Sequence, residues 1–300
     1  MNTNLASHPT LGFPRALALA VPLLVLGAAL ALGPRSPAAR AADGPVVELE
    51  EKSKYSKIRI TREKNVRTLG FVQDSGEVIT ESRVDLDKPH ELQITYTRYM
   101  FTSYLFRSKP ERVLLVGLGG GAMVHFLKHH DANVKIDVVE IDPAIVKIAD
   151  KFFGVRGGGN VNIITQDAFE FLKKTEDRYD VVYMDAFLKP SADTDASGVP
   201  LHLKTIQFYK DIQKKLTAEG MVLYNVHPTE KSQDDIKNIR TAFPQTYVFR
   251  IPSLNGFVVA GSLKKERASL ADLRGAGEEL DRRFKTSWSF RDMVERVAPE

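Results

Sequence analysis

A mostly parallel α/β sheet with a small β region ahead of it is the architecture this sequence predicts, and three observations predict it. Short apolar-rich runs (Val113 to Val116, Ile136 to Glu140, Tyr179 to Met184, Met221 to Val226) alternate with helix-length segments, as strands covered on both faces do. A glycine-rich turn, Gly117-Leu118-Gly119-Gly120-Gly121, joins the first run to the segment behind it. Residues 46 to 81, by contrast, hold only short strand-like pieces divided by turn residues.

The elements follow in order. VVELEE, KIRITRE and VRTLGFV read as three strands, with turns at Asn65 and at Asp74-Ser75-Gly76. Pro89 precedes an expected helix from Glu91 to Phe106. Beyond the first apolar run a helix is expected around Met123 to His130. Pro143, placed directly after Asp142, opens another through Phe153. Asn160 to Thr165 is the third strand, with a helix from Ala168 to Lys174 behind it. The fourth strand ends in Asp185, and the looser stretch KPSADTDASGVP separates it from a helix expected over His202 to Leu216. A fifth strand and a helix from about Ser232 to Phe243 lead to a closing antiparallel pair, Thr246 to Ile251 and Phe257 to Ala260. The tail from Leu263 is read as helical, docked through Trp288 and Phe290.

Composition narrows the function classes. A chain of 300 residues, 43% hydrophobic and 27% charged, is sized for one large globular unit or a main domain with a small companion. Arg15, Arg35 and Arg40, with no acid before Asp43, supply three of the four formal positive charges. No concentrated basic face remains for a nucleic acid. The uncharged run from Ala16 to Leu32 is preceded by Arg15 and followed by a small-x-small site at Ala39-Arg40-Ala41. It predicts an export signal or a membrane anchor, and so an exported protein in the periplasm or the extracellular space. The absence of cysteine excludes disulfides and thiolate chemistry.

The glycine turn carries the first functional reading. Gly117, Gly119 and Gly121 allow a tight turn and let a ligand approach bare backbone. On its own such a turn is also compatible with no ligand at all. Glu140 ends the second strand, where an acid takes ribose hydroxyls. Asp142 lies two residues on, and Asp167-Ala168 follows the third strand, where an acid can accept from an adenine amino group. GxxxxGK[ST] is absent, which disfavours phosphate cradling, and GxGxG spacing disfavours a dinucleotide. A nucleoside without phosphates fits better. A sulfonium nucleoside such as S-adenosylmethionine, whose positive centre suits nearby carboxylates, is the expected ligand. The predicted fold class is therefore a Rossmann-like sheet of the S-adenosylmethionine-dependent methyltransferase type with a small N-terminal β domain. The expected division is 1–42 as signal or anchor, 43–88 as the β domain, 89–262 as the catalytic domain and 263–300 as a helical tail.

On the reacting side Asp185 is the candidate catalytic acid, placed to orient an attacking amine or remove its proton. Asn225 is a candidate orienting residue at the end of the fifth strand. His227 and His202 are as readily loop and helix-terminus residues. His125 and His129 share a helix face but lack the carboxylate of HExxH, so no metal is expected.

These motifs together resemble the spermidine synthase family, the polyamine aminopropyltransferases, in its divergent branch. The similarity spans nearly all of residues 46 to 262: SKYSKI from Ser53, RVLLVGLGGGA, VVEIDP from Val138, QDAFEFL from Gln166, YDVVYMDAF from Tyr179 and the long run from Leu201. The resemblance implies decarboxylated S-adenosylmethionine as donor, a small amine as acceptor and a homodimer. It makes Glu140 the ribose acid, Asp167 the adenine-side acid and Asp185 the acid that helps deprotonate the attacking amine. The departures are specific. Gly120 stands where the family has an aspartate that contacts the donor's amino tail, and Ser56 where it has a donor-contacting glutamine. Its substrate triplet falls on Tyr96-Thr97-Arg98, with a base in place of the acid, and the second acid after Asp185 is lost in DAFLKP. Tyr96 and Arg98 are thus candidate substrate contacts. Arg98, turned inward, would suit the carboxylate of ordinary S-adenosylmethionine. Methyl transfer to an unknown acceptor and a noncatalytic nucleoside-binding protein therefore stay open beside aminopropyl transfer.

Overall fold

The computed structural model describes residues 44–252 and 255–299. Four antiparallel strands come first: β1 (Val46–Lys52), β2 (Lys57–Glu63), β3 (Val66–Val72) and β4 (Val78–Asp85), paired in chain order. The sequence reading has three strands here. The fourth escapes it because VITESRVD lacks the steady alternation of a half-buried strand. The cause is structural: Leu69 pairs Ser82 and Gly70 pairs Thr80, leaving Glu81 as the extra residue of a β-bulge.

The expected helix from Glu91 is shortened to α1 (Thr95–Met100), followed by a 3₁₀ turn over Phe101–Leu105. Thr97 and Thr102 donate their hydroxyls to the carbonyls of Ile94 and Tyr99, three residues back, drawing these oxygens into local bonds.

The main sheet has seven strands: β5 (Arg112–Val116), β6 (Lys135–Glu140), β7 (Val161–Thr165), β8 (Tyr179–Met184), β9 (Leu216–Val226), β10 (Gln245–Arg250) and β11 (Phe257–Ser262). Their order is β10-β11-β9-β8-β5-β6-β7; the last five are parallel and the first two antiparallel. Strand β9 starts earlier than expected, because Leu216 already pairs Tyr179 and the register then shifts across Thr217 to Gly220. A side chain at Gly220 would lie 2.9 Å from the Tyr179 carbonyl oxygen, so only glycine lets the strand bulge there.

Alternate side chains of each strand feed two cores. Val113, Leu115, Ile136, Val138, Val181 and Tyr183 face α2 (Ala122–His130), α3 (Pro143–Phe153) and the buried side of the N-terminal sheet. Leu114, Val116, Val139, Val182 and Val222 face α4 (Ala168–Lys174), α5 (Ile206–Gln213) and α6 (Ser232–Ala242). The expected single helix from His202 is instead a 3₁₀ turn over Leu201–Lys204 and then α5, because Thr205 caps α5 by accepting from the Phe208 amide at 3.1 Å. Helices α7 (Leu270–Phe284) and α8 (Phe290–Val294) close the first core.

The expectation of an exported or membrane-anchored protein is corrected. Among the described residues no helix is long and apolar enough to cross a membrane. The run from Ala16 to Leu32, on which that expectation rested, lies outside the described residues.

Candidate functional site

Strands β5, β6 and β7 proceed one way across the sheet and β8 and β9 the other, so the chain reverses between β5 and β8. Open α/β sheets bind ligands at the carboxyl ends beside such a reversal. Gly117 follows β5 and Asp185 follows β8. The two ends are tied, with the Asp185 amide donating to the Val116 carbonyl at 2.9 Å and the Gly117 amide to Val139 at 2.8 Å. Gly117 adopts φ +99°, and a Cβ there would lie 2.3 Å from the Asp185 carbonyl oxygen. Gly121 caps α2 at φ +70°, pressed against Val155.

Glu140 holds this turn in place. Its two carboxylate oxygens accept from the amides of Leu118 and Asp142, each at 2.9 Å, and burial raises its pKa. Each oxygen keeps a further lone pair for a hydroxyl. Asp142 caps α3 through the Ala144 amide at 2.9 Å, and Asp167 caps α4 through the Glu170 amide at 3.1 Å. The second carboxylate oxygen of Asp142 is buried without a hydrogen-bond partner, as is the Ser56 hydroxyl. Both residues line the same cleft as Gly117, Gly119, Gly121, Glu140, Asp167 and Ala168. The cleft encloses about 1090 Å³ including its open mouth. Unpartnered acceptors, a buried carboxylate with lone pairs to spare and bare glycine backbone are features that suit an uncharged nucleoside body, so the residues fit such a ligand.

Asp185 lines the same cleft. Tyr96 donates its hydroxyl to one carboxylate oxygen at 3.0 Å, and the Asn225 amide donates to the other at 2.9 Å. Burial pushes the Asp185 carboxyl up to about 6 against these two bonds, which act to lower it. His227 stands behind Asn225 at 3.5 Å and packs on Phe187, and burial lowers its pKa. His202 lines the cleft from the 3₁₀ turn.

Among the sequence candidates, Arg98 is not brought to the site. Its guanidinium donates to the Leu92 carbonyl at 3.0 Å, and it does not line the cleft. Gly120 cannot simply be exchanged for a larger residue, since a Cβ would stand 2.9 Å from the Ser82 hydroxyl and 3.1 Å from the Phe153 ring. Glu81 is the residue that sequence reasoning missed. The β-bulge turns it into the cleft, where burial, then the Asp185 charge, push its carboxyl up to about 8. The turn at Asp74-Ser75-Gly76 followed by Val78-Ile79-Thr80 was the available signal for its strand.

Comparison with known proteins agrees with this architecture. A polyamine aminopropyltransferase of Vibrio vulnificus is 29% identical over 211 residues, covering 69% of this chain and 68% of its own. Spermidine synthase from Thermotoga maritima superposes with a TM-score of 0.61 at 18% identity, over 85% of this chain and 84% of that one. Human methyltransferase-like protein 13, solved with SAH, does so with a TM-score of 0.60 at 21% identity, over 65% and 94%. The fold is thus that of the superfamily in which S-adenosylmethionine or its decarboxylated form is bound by aminopropyltransferases and methyltransferases. Residues 93–271 match the spermine/spermidine synthase domain, and with that match over more than half its length the chain belongs to this family as a divergent member.

Proposed function

We propose that the protein is an aminopropyltransferase, which moves an aminopropyl group from decarboxylated S-adenosylmethionine to an amine. One observation carries this reading. Glu81, Glu140, Asp142, Asp167 and Asp185 line the cleft, and among the described residues no lysine or arginine does. Ordinary S-adenosylmethionine brings a tail carboxylate that would find no lysine or arginine there and several carboxyl groups instead. The decarboxylated donor brings a sulfonium and an ammonium, which such a lining attracts. The turning away of Arg98 supports the same choice, because it withdraws the base that the sequence offered for a carboxylate.

In this reading Glu140 and Asp142 receive the ribose, Asp167 lies toward the adenine, and the glycine turn packs against the nucleoside. Asp185, fixed by Tyr96 and Asn225, faces the incoming amine. An alkylamine has a reference pKa near 10.4 and arrives protonated at neutral pH. A fixed carboxylate holds that cation in line, so that it loses its proton where it can attack. The sulfonium is an activated leaving group already, so the chain's task is placement and charge.

Calorimetric titration of the full chain with S-adenosylmethionine, decarboxylated S-adenosylmethionine and methylthioadenosine tests the proposal. Tightest binding of the decarboxylated donor is expected. Preference for the carboxylated donor would sink aminopropyl transfer in favour of methyl transfer, and no binding of any of the three would leave neither.

A further inference from the structure

We propose that Glu81 is the carboxylate that receives the acceptor amine and takes its proton; this rests on the aminopropyl-transfer reading above. Three features of the structure converge on it. Glu81 is the extra residue of the β4 bulge, a device that re-aims a side chain beside a site. It stands in the wall shared by the donor cleft and a second, larger cavity of about 1930 Å³, together with Tyr96, Phe187 and Leu188. Its carboxylate has no hydrogen bond or ion pair among the described residues, whereas both oxygens of neighbouring Asp185 are engaged. Of the cations on the second cavity's wall, Lys204 is itself held between Asp195 and Asp235, at 2.6 Å from the latter.

The two carboxylates divide the work. Asp185 is held rigidly by Tyr96 and Asn225 and supplies fixed negative charge. Glu81 is open to the side from which an acceptor enters and is available to bond. The acceptor arrives as a primary ammonium and passes one proton to Glu81. The freed nitrogen lone pair forms a bond to the methylene carbon beside the sulfonium. The carbon–sulfur bond breaks, its electron pair stays on sulfur, and a neutral thioether leaves. The new secondary ammonium carries the positive charge that the sulfonium lost, and the proton on Glu81 departs through the second cavity. With its carboxyl pushed up to about 8, Glu81 is a strong enough base to take that proton, and it is free to do so in a growing share of molecules as pH rises toward 8.

The test is calorimetry on the full chain, with 1,4-diaminobutane titrated into protein saturated with methylthioadenosine. Glu81→Gln should weaken the amine by about tenfold or more while leaving methylthioadenosine binding unchanged, and Glu81→Asp should recover part of the loss. In turnover, wild type should show a rise of kcat/KM toward pH 8, and this rise should disappear in Glu81→Gln. Unchanged amine affinity in Glu81→Gln overturns the proposal. So does a selective loss of affinity for decarboxylated S-adenosylmethionine with amine affinity intact, which would give Glu81 to the donor's tail. Failure of wild type to bind methylthioadenosine overturns the donor reading instead, and titration of the amine alone into both proteins then still reads Glu81.

Discussion

Asp185 and Glu81 are neighbouring acids with different surroundings, and the difference sets what each substitution should do. Asp185→Asn keeps the shape but removes the charge between Tyr96 and Asn225. Turnover should fall by about 10²–10³-fold, as removal of a fixed electrostatic group beside the reacting atoms does, while methylthioadenosine binding stays close to wild type. Loss of nucleoside binding alone, seen by calorimetry, would place Asp185 on the donor side. Stability should respond to pH as well. Glu81 has a folded pKa of about 8 against an ordinary 4.5, so between those values the folded state holds a proton that the unfolded chain releases. Its contribution is therefore full below about pH 4.5 and lost as pH rises toward 8, with Asp185 adding the same sign up to about 6. Glu81 interacts with the Asp185 and Tyr96 groups, and the wall of the second cavity it shares also carries His227, Asp195, Lys204, Glu230, Lys231 and Asp235. Glu81→Gln should leave thermal stability unchanged at pH 4 and raise it at pH 9, by roughly 1–3 kcal/mol. An equal shift at both pH values would remove the buried-charge explanation. At this scale the acids that line the cleft, Glu81 apart, could be singled out from the sequence because Glu140, Asp167 and Asp185 fall at or just after strand ends, the three positions to which the family resemblance also points, with Asp142 two residues beyond Glu140. Glu81 could not, because a bulge is a decision of two paired strands and leaves no periodic mark on one of them.

The element that decides the site is the turn after β5. Gly117 has both a left-handed backbone and a neighbour too near for a side chain, with the Asp185 carbonyl 2.3 Å from a Cβ. Gly119 has φ +52° but meets nothing closer than Ser82 Cβ at 3.5 Å. Gly117→Ala must therefore push β5 and β8 apart where Gly119→Ala need only tolerate strain. The first should lose about 3 kcal/mol or more in urea unfolding and most nucleoside binding, the second about 1 kcal/mol. Equal losses would show that backbone strain alone governs the turn. Elements whose signals are local were readable in advance: α3 starts at Pro143 behind its Asp142 cap and ends at Gly154, which adopts φ +69°. Elements shaped by partners were not. The helix read from Glu91 yields to threonine back-bonding and a 3₁₀ turn, and β9 begins early because Tyr179 is there to pair with Leu216.

Across the whole molecule the alternation of strand and helix made the parallel sheet and its antiparallel edge legible, since those follow from chain order and short connections. What covers the sheet's outer strand was not, because it depends on residues far along the chain. After α8 the backbone returns to β10: the Arg250 amide donates to the Arg296 carbonyl at 3.0 Å and the Ala298 amide to Val248 at 2.7 Å. This short pairing covers an edge that would otherwise present unpaired groups to another molecule. Phe290 anchors the return. It is fully buried, with ring centroids 5.5 Å from Phe284 and 4.7 Å from Trp288. Phe290→Ala should lower stability by about 3–5 kcal/mol, as loss of a buried aromatic ring does. Removal of residues 286–300 should do more than that, because it uncovers both the core beneath α7 and the β10 edge. Light scattering of the shortened chain should rise with concentration while Phe290→Ala stays monodisperse at temperatures below its melting point. If the shortened chain is as well behaved as the point variant, the tail serves only to fill the core and edge protection is not among its roles.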